Sequence, residues 1–344
     1  MPALSTGGEL ARLQILDRGK EFVMDIDQML ADGQIGPSFP LPADVPFTRA
    51  AAGAAGLSRR ALDRLVSEGL VRRPIKGVYV GTHLLDSLAL RAACLRLVVP
   101  EDCVVVDRHA GWLHGAEMIL APNEHLELRP LSLFRPSGHG RLRNALAASG
   151  ERNLRPDEIM EVQGLRVSTP LRTAWDIGRV RWTDEAISGL DAMFRLGRFT
   201  REEFLDGIPR FGRMRWVTTL RAIGPLADGR AESPGESVLR LRCIECGVLV
   251  VPQVEVFRDG RIFARIDLAD EDLQVGFEYD GAEWHSSPAQ LRHDQERRAE
   301  LVDDGWLIKA FGCPDVFGRA RSCEAVIRSA AAEARRRRGF RIPG

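Results

Sequence analysis

The sequence predicts an α/β multidomain protein of the α+β kind, on three observations. Its 344 residues, 44% of them hydrophobic, are enough for more than one core and suggest two or three domains. Pro37, Pro40, Pro42 and Pro46 interrupt the chain early, and residues 229–235 interrupt it again with Gly229, Pro234 and Gly235. Between and after these breaks, helical periodicity alternates with short β-rich runs. Lysine plus arginine equals aspartate plus glutamate at 48 each, so attraction to a polyanion must come from local patches. Six cysteines, with no signal peptide and no 18-residue apolar run, predict a reduced cytoplasmic protein without a membrane role.

Residues 1–45 read as a helical lead-in and Pro-rich linker, with Leu10, Leu13, Leu16, Val23, Ile26 and Leu30 at mostly helical spacing around Gly19. From Phe47 a short Ala-rich helix runs to a turn at Gly56-Leu57. Ser58 then caps a second helix, Leu62, Leu65 and Val66 form its inner face, and Gly69 closes it. Residues 70–80 read as two short strands around a basic turn. Helix, turn, helix and basic wing over 46–82 make a winged helix-turn-helix. Residues 46–80 carry seven basic side chains against Asp63 and Glu68, a local +5. Arg59, Arg60 and Arg64 are placed to face the major groove, with Arg72, Arg73 and Lys76 reaching phosphates. The competing explanation is an ordinary solvated face.

Residues 83–230 alternate helices (84–97, 184–195, 201–205) with strands (103–106, 125–129, 165–168), which predicts an α/β linker domain. His109, His114 and His125 lack metal-ligand spacing and are expected to be structural.

Residues 231–330 form the last domain, ahead of a basic tail over 331–344. Ser233 opens a helix that ends near Cys246-Gly247. Strands over 249–257 and 261–268 are joined by Asp259-Gly260, and a third covers 273–280. A helix over 288–302 and a strand over 306–311 complete the order αβββαβ. Period-2 alternation puts Ile262, Ala264, Ile266 and Leu268 on one face, with Phe263, Arg265 and Asp267 on the other. Glu278 and Asp280 share a face of the next strand, and a bulge near Gly281 would bring His285 over them. Carboxylates crowded on a sheet face repel unless solvated, protonated or bridged by a cation, and oxygen-rich clusters suit Mg²⁺ or Mn²⁺. Cys243 and Cys246 lie in a helix without a second pair, so a core role is expected.

Leu57-Ser58-Arg59-Arg60-Ala61-Leu62-Asp63-Arg64-Leu65, followed by Gly77-Val78-Tyr79, resembles the winged helix of AbiEi-type antitoxins. The resemblance implies DNA contact in transcriptional autoregulation, with a toxin or another protein as the candidate partner besides DNA; residues 164–176 are similar to the segment that follows in such proteins. Residues 232–326 resemble the very-short-patch-repair endonuclease-like domains of the PD-(D/E)xK nucleases. Glu236, Arg265-Ile266-Asp267, Glu278-Tyr279-Asp280-Gly281, Trp284-His285, Asp294, Arg297-Arg298 and Gly305-Trp306 carry it. This implies a restriction-endonuclease-like core and metal-dependent hydrolysis of a phosphodiester bond.

Asp267 is then the principal metal ligand, helped by Glu278 or Asp280. Asp280 stands where the general pattern has lysine, and the repair-endonuclease branch implies His285 as base. Asp294 would orient His285, Arg298 would hold a phosphate, and Glu236 would bind metal through water or orient a ligand. Each role has a structural alternative. Glu236 with Ser233 completes a capping box, Asp294 and Arg298 form an i,i+4 pair, and His285 bonds backbone. The rival function is a noncatalytic regulator or antitoxin built on a degenerate nuclease fold.

Overall fold

The computed structural model describes residues 26–36, 39–116, 129–140, 142–281 and 288–339, without the side chains of 26, 27 and 288–294. These residues form two compact units: one through Pro74 with Val78–Leu85, the other Ile75–Gly77 with the residues from Asp86 onward.

The first unit runs α1 (Ile26–Asp32), β1 (Phe47–Thr48), α2 (Arg49–Ala54), α3 (Arg59–Ser67), β2 (Val71–Ile75) and β3 (Val78–Gly81), with sheet order β1-β3-β2. Local chemistry starts both inner helices. The Thr48 hydroxyl accepts from Ala51 N–H at 3.1 Å and the Ser58 hydroxyl from Ala61 N–H at 3.2 Å, satisfying amides that a helix start leaves open. Leu62 and Leu65 are buried with Phe47, Ala52, Leu57, Val71 and Tyr79, as their spacing predicts. Gly69, at φ +75°, reverses the chain after α3 in a conformation that side chains resist.

The second unit begins with α4 (Leu88–Arg96), β4 (Val104–Val105), α5 (Asp107–His114), β5 (Leu131–Pro136), β6 (Ala147–Arg152), β7 (Ile159–Val162), β8 (Leu165–Ser168) and α6 (Pro170–Gly178). Its five-stranded sheet has order β6-β5-β4-β8-β7. The strand over 165–168 forms as expected, whereas β5, β6, β7 and α5 were not anticipated. In β6 the run Ala-Ala-Ser-Gly-Glu-Arg lacks β-branched or aromatic residues, and pairing to β5 supplies what its own propensity does not. His109 and His114 are buried on α5; His114 Nε2 lies 2.7 Å from the Ser168 carbonyl, a structural bond.

Helix α6 carries a dense charge network. Arg172, 1% exposed, donates to Asp176 Oδ2 at 2.8 Å, to Glu158 Oε2 at 2.6 Å and to the Asn153 carbonyl at 3.0 Å. Arg152 and Arg179 also bond Asp176, and Arg210 bonds Glu158. Helices α7 (Thr183–Arg195), α8 (Arg201–Gly207) and α9 (Val217–Ile223) follow and pack around Trp175, Ile187, Leu190, Phe204 and Leu220.

The chain continues through α10 (Pro234–Glu245), β9 (Val251–Arg258), β10 (Arg261–Asp270), β11 (Val275–Asp280), α11 (Pro288–Asp303) and β12 (Leu307–Gly312), which is the order αβββαβ; α12 (Cys313–Phe317) and α13 (Cys323–Arg337) extend it. The second sheet has order β12-β11-β10-β9, antiparallel except for the parallel β11–β12 pair joined through α11. One apolar core links the helices around Trp175 to Val238 and Leu241 of α10 and to Phe277, Phe311 and Ile327.

Strand β10 departs from simple alternation. Ala264 and Ile266 pack with Leu301 and Trp306, Leu268 packs with Phe277 in the other core, and Ile262 is exposed. A register shift between Ile262 and Ala264, and Gln253 at φ +57° on the neighbouring strand, break the period on which a common face depends.

Candidate functional site

The register of β10 against β11 decides which acids meet. Leu268 pairs with Phe277 and Ala269 with Gly276, which brings Asp267 level with Glu278. Asp267 Oδ2 accepts from Tyr279 N–H at 2.9 Å. Burial pushes its carboxyl up to about 7, the Tyr279 bond opposes this, and the charges of Glu236 and Glu278 add to the rise.

Glu236 reaches the same place from the first turn of α10. Gly235 permits the approach, because a Cβ there would stand 2.1 Å from the Tyr279 ring. Ser233 Oγ accepts from Glu236 N–H at 3.1 Å, so half of the expected capping box is present. The carboxylate does not return to Ser233; its Oε2 accepts from Glu232 N–H at 2.8 Å and from Gln253 Nε2 at 2.7 Å. Capping and site-facing roles therefore coexist in Glu236.

Glu278 is 2% exposed and faces two arginines of α11. Arg298 Nε donates to its Oε2 at 2.5 Å, and Arg297 Nη1 stands 2.9 Å from its Oε1 without the alignment of a hydrogen bond. Arg298 Nη2 also reaches Asp280 Oδ2 at 3.5 Å, and burial acting against its guanidinium is outweighed by the Glu278 bond and charge, which raise it. Two buried oxygens, Glu278 Oε1 and Gln253 Oε1, have no hydrogen-bond donor. Such atoms are costly to bury unless a ligand completes them.

Of the predicted residues, the fold thus gathers Glu236, Asp267 and Glu278, with Asp280 and Arg298 at the margin. Among the described residues, no three His, Cys, Asp or Glu side chains are arranged to hold a metal ion. His285 lies outside the described residues, as do the Asp294 side chain on α11 and Trp284. Sequence reasoning missed Gln253 and gave no role to Arg297. The doublet Arg297-Arg298 was visible, but Gln253 followed Pro252 in an ordinary strand pattern without any signal of its own.

In the first unit, Arg59 and Arg60 are exposed on α3, with Arg59 Nε 3.7 Å from Asp63 Oδ2. Arg64 lies 4.0 Å from Glu68. Arg73 is exposed, Lys76 is half-buried, and Arg72 donates to the Leu84 carbonyl at 3.1 Å, which stiffens the hairpin more than it offers charge to solvent.

Residues 45–80 match the family described as transcriptional regulator, AbiEi antitoxin. Over 262 residues the chain is 29% identical to uncharacterized protein MT2308 of Mycobacterium tuberculosis (strain CDC 1551 / Oshkosh) and to uncharacterized protein Rv2248 of strain ATCC 25618 / H37Rv. Each match covers 76% of this chain and 92% of the relative. Among the described residues, no helix is long and apolar enough to cross a membrane.

Proposed function

We propose that the protein is a DNA-binding regulator whose first unit acts as a winged helix and whose C-terminal sheet is a nuclease-like core for phosphodiester hydrolysis. The observation that carries the nuclease reading is the buried meeting of Glu236, Asp267, Glu278 and Gln253, where two oxygens lack donors. Their chemistry suits Mg²⁺ or Mn²⁺: hard carboxylate oxygens from Asp267 and Glu278 with an amide oxygen from Gln253. When bound, such a cation would polarise a phosphate oxygen and favour a nucleophilic water.

The chain's own groups have separate tasks in this reading. Glu236 positions Gln253 through its Nε2 hydrogen bond. Arg298, with Arg297, neutralises Glu278, and Arg298 is a cation at hand for an incoming phosphate, which would compete with that carboxylate. Asp280 cannot replace lysine in activating water, so proton removal falls to His285, as the repair-endonuclease resemblance implies, and Asp294 is the residue assigned to orient it. The second reading is a noncatalytic regulator or antitoxin, and a specific observation favours its noncatalytic part. Glu278 is already paired with Arg297 and Arg298, as a retired ligand would be.

Supercoiled, linear, mismatched and single-stranded DNA incubated with Mg²⁺ or Mn²⁺ separates the two. Nicking by wild type that is lost in Asp267→Ala and Glu278→Gln supports the nuclease. Intact substrates in every lane, with Mn²⁺ binding equally weak in wild type and Glu278→Gln by calorimetry, leave the regulator.

A further inference from the structure

Two loops of the second unit carry one four-residue pattern, Arg-x-Arg-Trp. Arg179-Val180-Arg181-Trp182 precedes α7, and Arg213-Met214-Arg215-Trp216 precedes α9. The fold brings them side by side, with Arg179 Nη1 donating to the Arg215 carbonyl at 3.3 Å. In each loop the second arginine lies over its own indole, Arg181 at 4.6 Å and Arg215 at 5.0 Å from the ring centroid. Trp182 is nevertheless 61% exposed and Met214 38%. Arg213 and Trp216 hold φ of 66° and 62°, a left-handed backbone that side-chain-bearing residues adopt at a cost.

The local charge is unbalanced. Asp176 is occupied by Arg172, Arg152 and Arg179, Asp184 by Arg242, and Glu185 by Arg129. Arg181, Arg213 and Arg215 are exposed and make no ion pair among the described residues. Three guanidinium groups without an ion pair among the described residues, two of them lying over the indoles of Trp182 and Trp216, make this surface both cationic and aromatic. Water satisfies the charges but not the indole of Trp182.

We propose that the paired Arg-x-Arg-Trp loops bind single-stranded nucleic acid, with Trp182 stacking an unpaired base and Arg181, Arg213 and Arg215 contacting phosphates. An acidic peptide would use the guanidinium groups and leave the indole uncovered; duplex DNA would offer phosphates but keep its bases stacked. An unpaired strand satisfies both. The proposal does not depend on the nuclease reading, since neither loop belongs to the sheet that carries Asp267.

The test is fluorescence anisotropy of full-length protein with a labelled oligothymidylate and, in parallel, a duplex of equal length. Arg181→Gln/Arg213→Gln/Arg215→Gln should weaken strand binding at least about tenfold and lower the slope of log affinity against log salt by roughly 2, from about 0.7 per phosphate. Trp182→Ala should weaken strand binding about fivefold or more, Trp182→Phe should restore it, and duplex affinity should respond little to either. All four positions are solvent-facing, and an unchanged melting temperature confirms that the variants fold. Unchanged strand affinity in the triple variant, equal loss on strand and duplex with Trp182→Ala, or tight binding of polyglutamate with none of oligothymidylate would each overturn the proposal.

Discussion

Two of the acid–arginine clusters buried in the second unit, one around Arg172 and one around Glu278, differ in how their acceptor oxygens are satisfied. Arg172 sits between Glu158 and Asp176, and Arg152, Arg179 and Arg210 supply further donors. Burial alone would raise both acids; for Asp176 the Arg152 and Arg172 charges, and for Glu158 the Arg210 and Arg155 bonds, hold the carboxyl below its ordinary value. Around Glu278 the balance runs the other way. Asp267 is pushed up, and Glu278 Oε1 and Gln253 Oε1 lack donors. Burial of charge does not by itself distinguish scaffold from site. The difference lies in the acceptors: both oxygens of Glu158 and of Asp176 have donors, and the atom left over there is a donor, Arg179 Nε, whereas around Glu278 the atoms left over are oxygens.

The largest effect that tests this contrast belongs to the Arg172 cluster. Arg172→Ala would strand Glu158 and Asp176 without their shared partner and should cost about 3–5 kcal/mol in urea unfolding. A loss under about 1 kcal/mol would mean that this cluster is no more structural than the other.

The two clusters should also respond to pH with opposite sign. Glu158 and Asp176 have depressed folded values, so their stabilisation is present above their unfolded values and is lost as pH falls through the folded ones. Asp267 is raised from 3.8 to about 7, so its contribution is fully present below 3.8 and is lost as pH rises through about 7. Asp267→Asn keeps an acceptor for Tyr279 N–H and removes the buried charge. It should stabilise the protein by on the order of 2 kcal/mol at about pH 8, with the gain fading toward about pH 4. Thermal melts showing the same shift at both ends of that range would contradict the assignment.

The smallest effect concerns the first unit, where the charges face solvent. Arg59→Ala/Arg60→Ala should weaken duplex binding about tenfold and reduce the salt slope by roughly 1.8, at about 0.9 per phosphate. Unchanged affinity would remove α3 from the DNA interface.

Legibility followed the range of the interactions. Helix α3 was readable because Ser58 bonds an amide three residues away and Leu62 and Leu65 repeat with the helical period. The order αβββαβ was readable because Asp259-Gly260 and the flanking alternation mark a hairpin locally. Strand β6 was not, since Ala147–Arg152 is a strand only by virtue of its neighbour. The site was half readable. Asp267 and Glu278 could be placed on adjacent strands, but Gln253 enters through a left-handed backbone that no periodicity encodes. The common face assigned to Ile266 and Leu268 failed for the same reason.

The sequence by itself determined the capped helices α3 and α10, the Asp259-Gly260 hairpin, the excess of arginine over 46–80 and the types of acid available near residue 280. Caps, breakers and periodicity act over a few residues, so they survive without a fold. Only the tertiary structure decided the partners: Arg298 on Glu278, Glu236 on Gln253, and Arg179 joining two loops more than thirty residues apart. A charge interacts with whatever the packed chain brings within a few ångströms, and packing between distant segments decides which groups come that close.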